Sequence, residues 1–332
     1  MNKHYDIYGM GNALVDTEFK LDNAELAKLG IEKGVMTLVD HARLNELTEK
    51  LKHVQCNRTS GGSAANTIIT SQLFGNKTFY SCKVANDTAG DLFLAGLLEQ
   101  GVATNLTQDN REDGVTGECL VKITPDSDRT MCTHLGITNT YSDKEMNVDA
   151  LKNSRYLYIE GYLSAQPIAT QVAIQAKKTA EAHGVKTSIT LSDPTIVNYF
   201  KDNFLAMIGT GVHLIFCNDH EAKMFCQTDD LEIAKESLKK YTQTYAITMG
   251  SHGVCVFDGN ETAIIPCEKV NVINTVGAGD VFAGAFLYAL SQGYNYTKAA
   301  KLANLAAGQV VTKLGPRLDA DEVALVIKKF NG

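Results

Sequence analysis

Tyr156-Leu157-Tyr158-Ile159, the helix-patterned stretch Ile168 to His183 and the apolar run Val185 to Leu191 read as strand, helix and strand. The rhythm continues through a strand at His213 to Cys217, helices at Glu221 to Phe225 and Leu231 to Tyr241, and a strand at Tyr245 to Thr248. Strands that alternate with helices form a parallel sheet covered on both faces, an α/β fold. Toward the N-terminus, Tyr5 to Val15 reads as one strand passing through Gly9-Met10-Gly11. Thr78 to Val84 reads as a strand between helices at Ala64 to Phe74 and Thr88 to Gln100. Gly34 to Asp40 has strand character, and His41 to Lys52 has helical periodicity. Gly114 to Ile123 and Arg129 to Leu135 alternate polar and apolar positions about Pro125-Asp126-Ser127-Asp128, a hairpin with a turn-forming centre. These pieces fit badly into a sheet buried on both faces. A small separate β lid is therefore expected, built approximately from residues 13–21, 34–58 and 114–137. The C-terminal third carries helices at Ala278 to Gln292 and Thr297 to Thr312. With no repeat and no Pro-rich linker, the expectation is a single domain over 1–332 with the lid interleaved.

Composition narrows the function. Apolar residues make up 44% of 332, enough to bury a full core. The net charge of −7 and the absence of Lys/Arg runs exclude a nucleic-acid footprint. No apolar stretch reaches the roughly 18 residues of a membrane span, and Met1 to Asp6 is polar rather than a targeting segment. The eight cysteines are scattered without a Cys-x-x-Cys pair, so neither zinc nor a disulfide framework is expected. Reduced thiols and a cytoplasmic address follow as the expectation.

The chemistry concentrates in Asn274-Thr275-Val276-Gly277-Ala278-Gly279-Asp280-Val281-Phe282-Ala283-Gly284. Gly277, Ala278 and Gly279 precede an amphipathic helix, so backbone N–H groups can approach a ligand beside the positive helix end. Such a turn holds phosphate oxygens or stabilises charge that develops in transfer. Asp280, in the first helical turn, can take a proton from an attacking hydroxyl. The plainer reading is a tight turn with Asp280 complementing the helix dipole. Gly61-Gly62-Ser63-Ala64-Ala65-Asn66 is a second glycine turn into a helix. It is either a small-residue packing face or a bare backbone against a sugar, with Asn66 donating and accepting at vicinal hydroxyls. Asn12 and Asp16, at a strand end, form a turn or clamp ribose hydroxyls. Asn218 and Glu221 have the spacing of a capping box; the alternative places them near Mg²⁺-bound waters or phosphates. Thr248, Gly250 and Gly253 belong to a glycine loop suited to an adenine or ribose rim. A Gly-x-x-x-x-Gly-Lys-Ser/Thr loop is absent, and Gly9-Met10-Gly11-Asn12-Ala13-Leu14 lacks the third glycine of a dinucleotide fingerprint.

In this order the motifs resemble those of the ribokinase-like (PfkB) family of carbohydrate and nucleoside kinases, over nearly the whole chain from Gly9 to about Arg317. Within the family, Gly11-Asn12-Ala13-Leu14-Val15-Asp16 is similar to the opening strand of adenosine kinases, and the long Asp16 to Gly61 segment sets the chain apart from sugar kinases. Asp128-Arg129-Thr130 resembles the lid turn that brings an Arg over the phosphates. The resemblance implies a three-layer α/β/α sandwich with a mostly parallel central sheet and a β lid. It implies ATP and Mg²⁺ as cofactors, and phosphorylation of a purine nucleoside at its 5′-hydroxyl, adenosine first. Asp280 would be the base and Gly277, Ala278 and Gly279 the anion hole, with Arg129 adding charge. Asn12, Asp16, Gly61, Gly62 and Asn66 would hold the ribose, and Asn218 and Glu221 would serve Mg²⁺ through water. Asn218, Thr248, Gly250, Gly253 and Asn304 would form the ATP site. Most members begin the late motif with Asp, which serves a monovalent-cation site completed by carbonyls matching Val310, Lys313 and Gly315. Asn274 removes that charge, which weighs against potassium activation and is similar to inosine–guanosine kinases. The extended lid implies a monomer rather than a dimer. The competing readings are a sugar kinase of the same fold, an inosine or guanosine kinase and a non-catalytic nucleoside-binding protein, with a dehydrogenase more distant.

Overall fold

The structure is a computed structural model that describes residues 3–34, 36–124 and 129–332, with Arg129 described in its backbone alone. Fourteen strands among the described residues run in chain order as β1 (Tyr5–Met10), β2 (Leu14–Lys20), β3 (Met36–Leu38), β4 (Cys56–Gly61), β5 (Thr78–Ser81), β6 (Ala103–Thr104), β7 (Gly117–Ile123), β8 (Arg129–His134), β9 (Ser154–Ile159), β10 (Lys186–Thr190), β11 (Val212–Asn218), β12 (Thr242–Thr248), β13 (Val254–Phe257) and β14 (Thr262–Ile265). Nine form one sheet in the order β6-β5-β1-β9-β10-β11-β12-β13-β14. Neighbours from β6 to β12 are parallel, and β13 and β14 turn back antiparallel at the edge.

The continuous apolar runs follow from burial on both faces. Along β9, Tyr156 and Tyr158 pack on one core with helices Ser63–Phe74, Ala278–Ser291 and Tyr296–Val310. Leu157 and Ile159 pack on the opposite core with helices Pro167–Ala182 and Asp219–Cys226. A strand alternates its side chains, so a strand between two helical layers needs apolar residues at every position. The parallel sheet covered on both faces that the strand–helix rhythm implies is present, and with it the three-layer sandwich that the resemblance implies. Helices Pro194–Tyr199, Lys201–Ile208 and Ala320–Asn331 are additional to the expected pattern. The last is started by a reciprocal cap between Asp319 and Glu322 and buries Val323 and Val326.

The expected single strand from Tyr5 to Val15 is two strands in two sheets. β1 ends at Met10, and β2 begins at Leu14 in the lid. A Cβ on Gly11 would lie 2.4 Å from the Glu160 carboxylate and 2.6 Å from the Ala64 side chain. The Asn12 carbonyl accepts from the Tyr80 hydroxyl at 2.9 Å, and the Asn12 amide donates to Glu160 at 3.3 Å. These partners take the groups a continuing strand would use in its ladder.

The remaining five strands form the lid sheet, in the order β3-β8-β7-β2-β4. Its outer face buries Phe19, Leu120 and Cys132 beneath Leu26 of the helix Asn23–Lys28 and Leu44 and Leu47 of the helix His41–Leu51. Its inner face turns Cys119, Val121 and Ile123 toward Val276 of the body. Gly61, read from sequence as the start of a glycine turn, is the last residue of β4, where Ser60 and Gly61 pair with Val15 and Leu14. The hairpin of β7 and β8 is antiparallel as expected; its turn, Pro125 to Asp128, lies outside the described residues.

β1 leads on to β5 and β6 on one side, while β9 opens the run to β14 on the other. The order reverses between β1 and β9, and the carboxyl ends of strands at such a reversal are where open α/β sheets bind ligands. Asn12 and Glu160 leave the sheet there.

Candidate active site

Asp280 is fixed from two sides. Its carboxylate accepts from the Ser63 hydroxyl at 2.6 Å and from Asn66 Nδ2 at 3.1 Å. Ser63 and Asn66 open the helix Ser63–Phe74, which packs tightly on Ala278–Ser291, Asp280's own helix. A Cβ on Gly284 would meet the Thr67 carbonyl at 2.4 Å. The small residues thus serve packing and chemistry at once, because the close approach carries Ser63 and Asn66 to the carboxylate. Gly277 caps the helix in the left-handed region, at φ 76. The Ala278 amide donates to the Thr275 carbonyl at 3.3 Å, while Gly279 has open space where a Cβ would be.

A cavity of about 330 Å³ lies between the body and the inner face of the lid. Of the sequence-predicted residues, Asn12, Asp16, Gly62, Asn66, Asn218, Glu221, Thr248, Gly277, Gly279 and Asp280 line it. A second cavity of about 80 Å³ shares Ser63, Asn218, Glu221, Thr248 and Asp280 with the first. Gly61 stands behind Asp16, where a Cβ would fall 2.1 Å from its carboxylate. Gly250, Gly253 and Asn304 line neither cavity. Gly253 closes the β12–β13 turn at φ 88, where a Cβ would meet the Ile265 carbonyl at 2.1 Å. Asn304 Nδ2 donates to the Ile265 and Pro266 carbonyls at 3.1 and 3.3 Å, tying its helix to the end of β14. The Arg129 side chain lies outside the described structure.

Three further groups were not expected from sequence. Glu160 accepts from the amide and side chain of Asn12 and from the Ala64 amide at 2.9 Å. Gln166 donates to Asn12 Oδ1 at 2.8 Å, so Asn12 is held by neighbours on both sides of its amide. Ser63 is the third. Glu160 does carry a signal: a charged residue directly after the apolar run Tyr156 to Ile159, as Asn218 follows the apolar run Leu214 to Cys217. The lid adds apolar wall from Met36, Val121 and Met131.

Burial dominates the electrostatics. It pushes Asp16, Glu160 and Glu221 each up to about 7, against opposing pulls from Arg317 on Asp16 and from backbone N–H groups on the two glutamates. Each holds a proton in the folded chain at a pH where the unfolded chain has released it. Their contribution to stability is full below about pH 4 and is lost as the pH rises through about 7. The ligand-free protein is expected to melt several degrees lower at about pH 8 than at about pH 5.5, with Glu160→Gln flattening the fall. Melts followed by circular dichroism at the two pH values measure this, and a rise in melting temperature toward pH 8 would contradict it.

Asn218 and Glu221 form the capping box their spacing predicts, with bonds of 2.7–3.0 Å between them. Glu221 still faces the smaller cavity beside Asp280, and its oxygen donors suit a hard cation that keeps most of its waters. The monovalent-cation expectation fares differently. Asn274 is buried, its Oδ1 accepts from the Val276 amide at 3.0 Å, and its Nδ2 is buried without a hydrogen-bond partner. An N–H₂ group there is a donor and offers a cation nothing, so this residue does not fit a potassium site.

A family model described as pfkB family carbohydrate kinase matches residues 33–322. The adenosine kinase of Sinorhizobium meliloti superposes with a TM-score of 0.91 at 32% identity, over 98% of this chain and 99% of that one. A probable sugar kinase from Rhizobium etli gives a TM-score of 0.92 at 31% identity, over 99% of each chain. Among curated sequences, adenosine kinase 2 of Arabidopsis thaliana is 26% identical over 342 residues, covering 95% of this chain and 96% of its own length. Likeness on this scale, over a chain that sets Asp280 at a helix N-terminus beside the sheet's point of reversal, makes it an ATP-dependent kinase and a member of the pfkB carbohydrate kinase family.

Proposed function

We propose that this kinase transfers the terminal phosphoryl group of ATP to the 5′-hydroxyl of a purine nucleoside, adenosine first, with Asp280 as the general base. One observation carries the reading: Asp280 stands where the acceptor-sized cavity of about 330 Å³ meets the smaller one of about 80 Å³. A hydroxyl held in the larger cavity then faces phosphate oxygens placed at the helix N-terminus.

In the larger cavity Asp16, Gly62 and Asn66 hold the ribose, backed by Gly61 and with Asn12 keeping that wall in place. Asn66 Oδ1 is buried and unpartnered, an acceptor ready for a sugar hydroxyl. Met36, Val121 and Met131 present apolar surface to a nucleobase, which a free sugar would leave bare. Asp280 takes the 5′-hydroxyl proton as the oxygen attacks phosphorus and the bond to the ADP leaving group breaks. The Gly277–Gly279 turn and the helix dipole stabilise the charge on the transferring group. Glu221 and Asn218 would hold Mg²⁺ through water, and the ion when bound neutralises charge on the phosphates. Thr248 would border the nucleotide, with Gly250, Gly253 and Asn304 beyond the two cavities on the same side, and Arg129 would add positive charge from the lid. The lid's outer face is covered by its own helices Asn23–Lys28 and His41–Leu51, which supports a monomer. Eight unpaired cysteines support a reducing, cytoplasmic setting.

The likeness to a probable sugar kinase keeps a sugar acceptor as the second reading. ATP-dependent phosphorylation with Mg²⁺ of adenosine, inosine, guanosine, ribose, fructose and fructose 6-phosphate separates them. Preference for one nucleoside supports the proposal and settles the base. Turnover of a sugar alone moves the enzyme to the sugar branch with the same Asp280 chemistry. No turnover of any of the six would overturn the acceptor assignment.

A further inference from the structure

The segment Gly315-Pro316-Arg317, between the helices Tyr296–Val310 and Ala320–Asn331, touches both halves of the site. The Pro316 carbonyl lies 2.1 Å from where a Cβ on Gly277 would be, so it packs directly against the anion turn. The next residue reaches the lid: Arg317 Nη1 donates to the Ser60 hydroxyl at 3.2 Å, on β4. Asp16 and Glu18 lie on the neighbouring strand β2, two residues apart and so on one face. Asp16 is opposite Thr59 and Cys119, and Glu18 is opposite Asn57 and Val121. Glu18 Oε1 is buried with no hydrogen-bond partner. Two carboxylates in a buried wall require a counter-charge. The Arg317 guanidinium acts on both carboxylates through space, without an ion pair to either, and among the described residues its one hydrogen bond is to Ser60.

We infer that Arg317 is a positioning residue for phosphoryl acceptance, holding Asp16 as the anion that takes the acceptor's hydroxyls. The inference rests on the nucleoside reading above for the role of Asp16. The groups facing Asp16 are Glu18 on its own strand, the Cys119 thiol of β7, Asp280 of the base-bearing helix, Arg317, and the Gly62 N–H. Of these, only Arg317 and the Gly62 N–H favour the charged form; Glu18 and Asp280 oppose it. Burial lifts Asp16 to about 7 even with Arg317 present, so without the guanidinium its ionisation moves to higher pH. An ionised acceptor makes the stronger hydrogen bond to a hydroxyl.

The test needs no ligand for its first arm. In melts of the ligand-free full chain between about pH 5 and about pH 9, Arg317→Gln extends the loss of stability to higher pH than in the native protein, and adding Asp16→Asn shrinks that extra loss. Equal pH dependence in the native and Arg317→Gln proteins overturns the inference, as does an extra loss that Asp16→Asn leaves untouched. In the second arm, isothermal titration with adenosine at about pH 7 is expected to show about tenfold weaker binding for Arg317→Gln, recovering at about pH 9. Weaker binding that does not recover would mean a merely structural role and overturn the inference. Arg317→Lys keeps the charge and is expected to bind adenosine within about twofold of native. If Arg317→Gln does not fold, native-like binding and pH dependence in Arg317→Lys support the inference, and their loss overturns it. A native protein that binds no adenosine would sink the adenosine assignment, and the ligand-free melts would still decide the role of Arg317.

Discussion

Asp280→Asn is expected to cut turnover by at least about a hundredfold while leaving adenosine binding close to native. The substitution keeps the size and shape of the side chain and removes its capacity to take a proton. The surrounding frame can absorb the change. Ser63 and Asn66 both donate to the carboxylate, at 2.6 and 3.1 Å. The Ser63 hydroxyl can rotate to accept from the new amide, while its remaining oxygen still accepts from Asn66 Nδ2. In the proposed function acceptor binding depends on Asp16, Asn66 and the lid wall, which the change leaves in place. The anion turn survives too, so residual activity remains rather than none. Rapid-quench single-turnover measurements give the chemical step, and calorimetric titration with adenosine gives the binding. Turnover within a few fold of native would remove Asp280 from the role of base. Equal losses in binding and turnover would instead assign it to holding the acceptor.

The sequence patterns that proved readable are those written in local periodicity. Unbroken apolar runs at 156–159 and 214–217 declare strands buried on both faces, and the glycine turns at 61–62 and 277–279 each open a helix. Asn218 with Glu221 is legible for the same reason, since a cap spans a single turn. Asp319 and Glu322 carry an equal signal before the buried Val323 and Val326, so the last helix was available to the same reading. What stays hidden is whatever depends on distant partners. Nothing near Gly11 in sequence announces that Glu160 and Ala64 occupy the space a side chain would need, although this forces the chain out of one sheet into another. Asn12 has the look of a free polar residue at a strand end, yet Glu160, Gln166 and Thr138 engage its side chain. The remaining gap concerns Gly250, Gly253 and Asn304. Glycines and an asparagine near a nucleotide site are equally what a tight turn and an inter-element tie require, and spacing does not separate the two uses.

Gly277→Ala is expected to damage fold and chemistry together. The residue sits at φ 76, where an L side chain costs about 1–2 kcal/mol. The added methyl carbon would lie 2.1 Å from the Pro316 carbonyl oxygen and 2.7 Å from its carbonyl carbon and Cα. These are backbone atoms, so no rotamer change relieves the overlap, and either the anion turn or the 315–317 segment must move. In the proposed mechanism, displacing the turn misaligns N–H groups aimed at the transferring phosphoryl, and one such donor is worth about a hundred- to a thousandfold in rate. Displacing the segment instead carries Arg317 away from Ser60 and from the carboxylates of β2. Either movement lowers turnover, and both lower the melting temperature. Gly279→Ala is the control for strain. Gly279 has a negative φ and no atom within 4 Å of its would-be Cβ, so that variant is expected to melt with the native protein. Melting curves for the two variants, read beside single-turnover rates, separate the effects. If Gly277→Ala melts like Gly279→Ala and turns over normally, Pro316 does not buttress the anion turn. A loss of rate without a loss of stability would rule out the overlap with Pro316 as its cause.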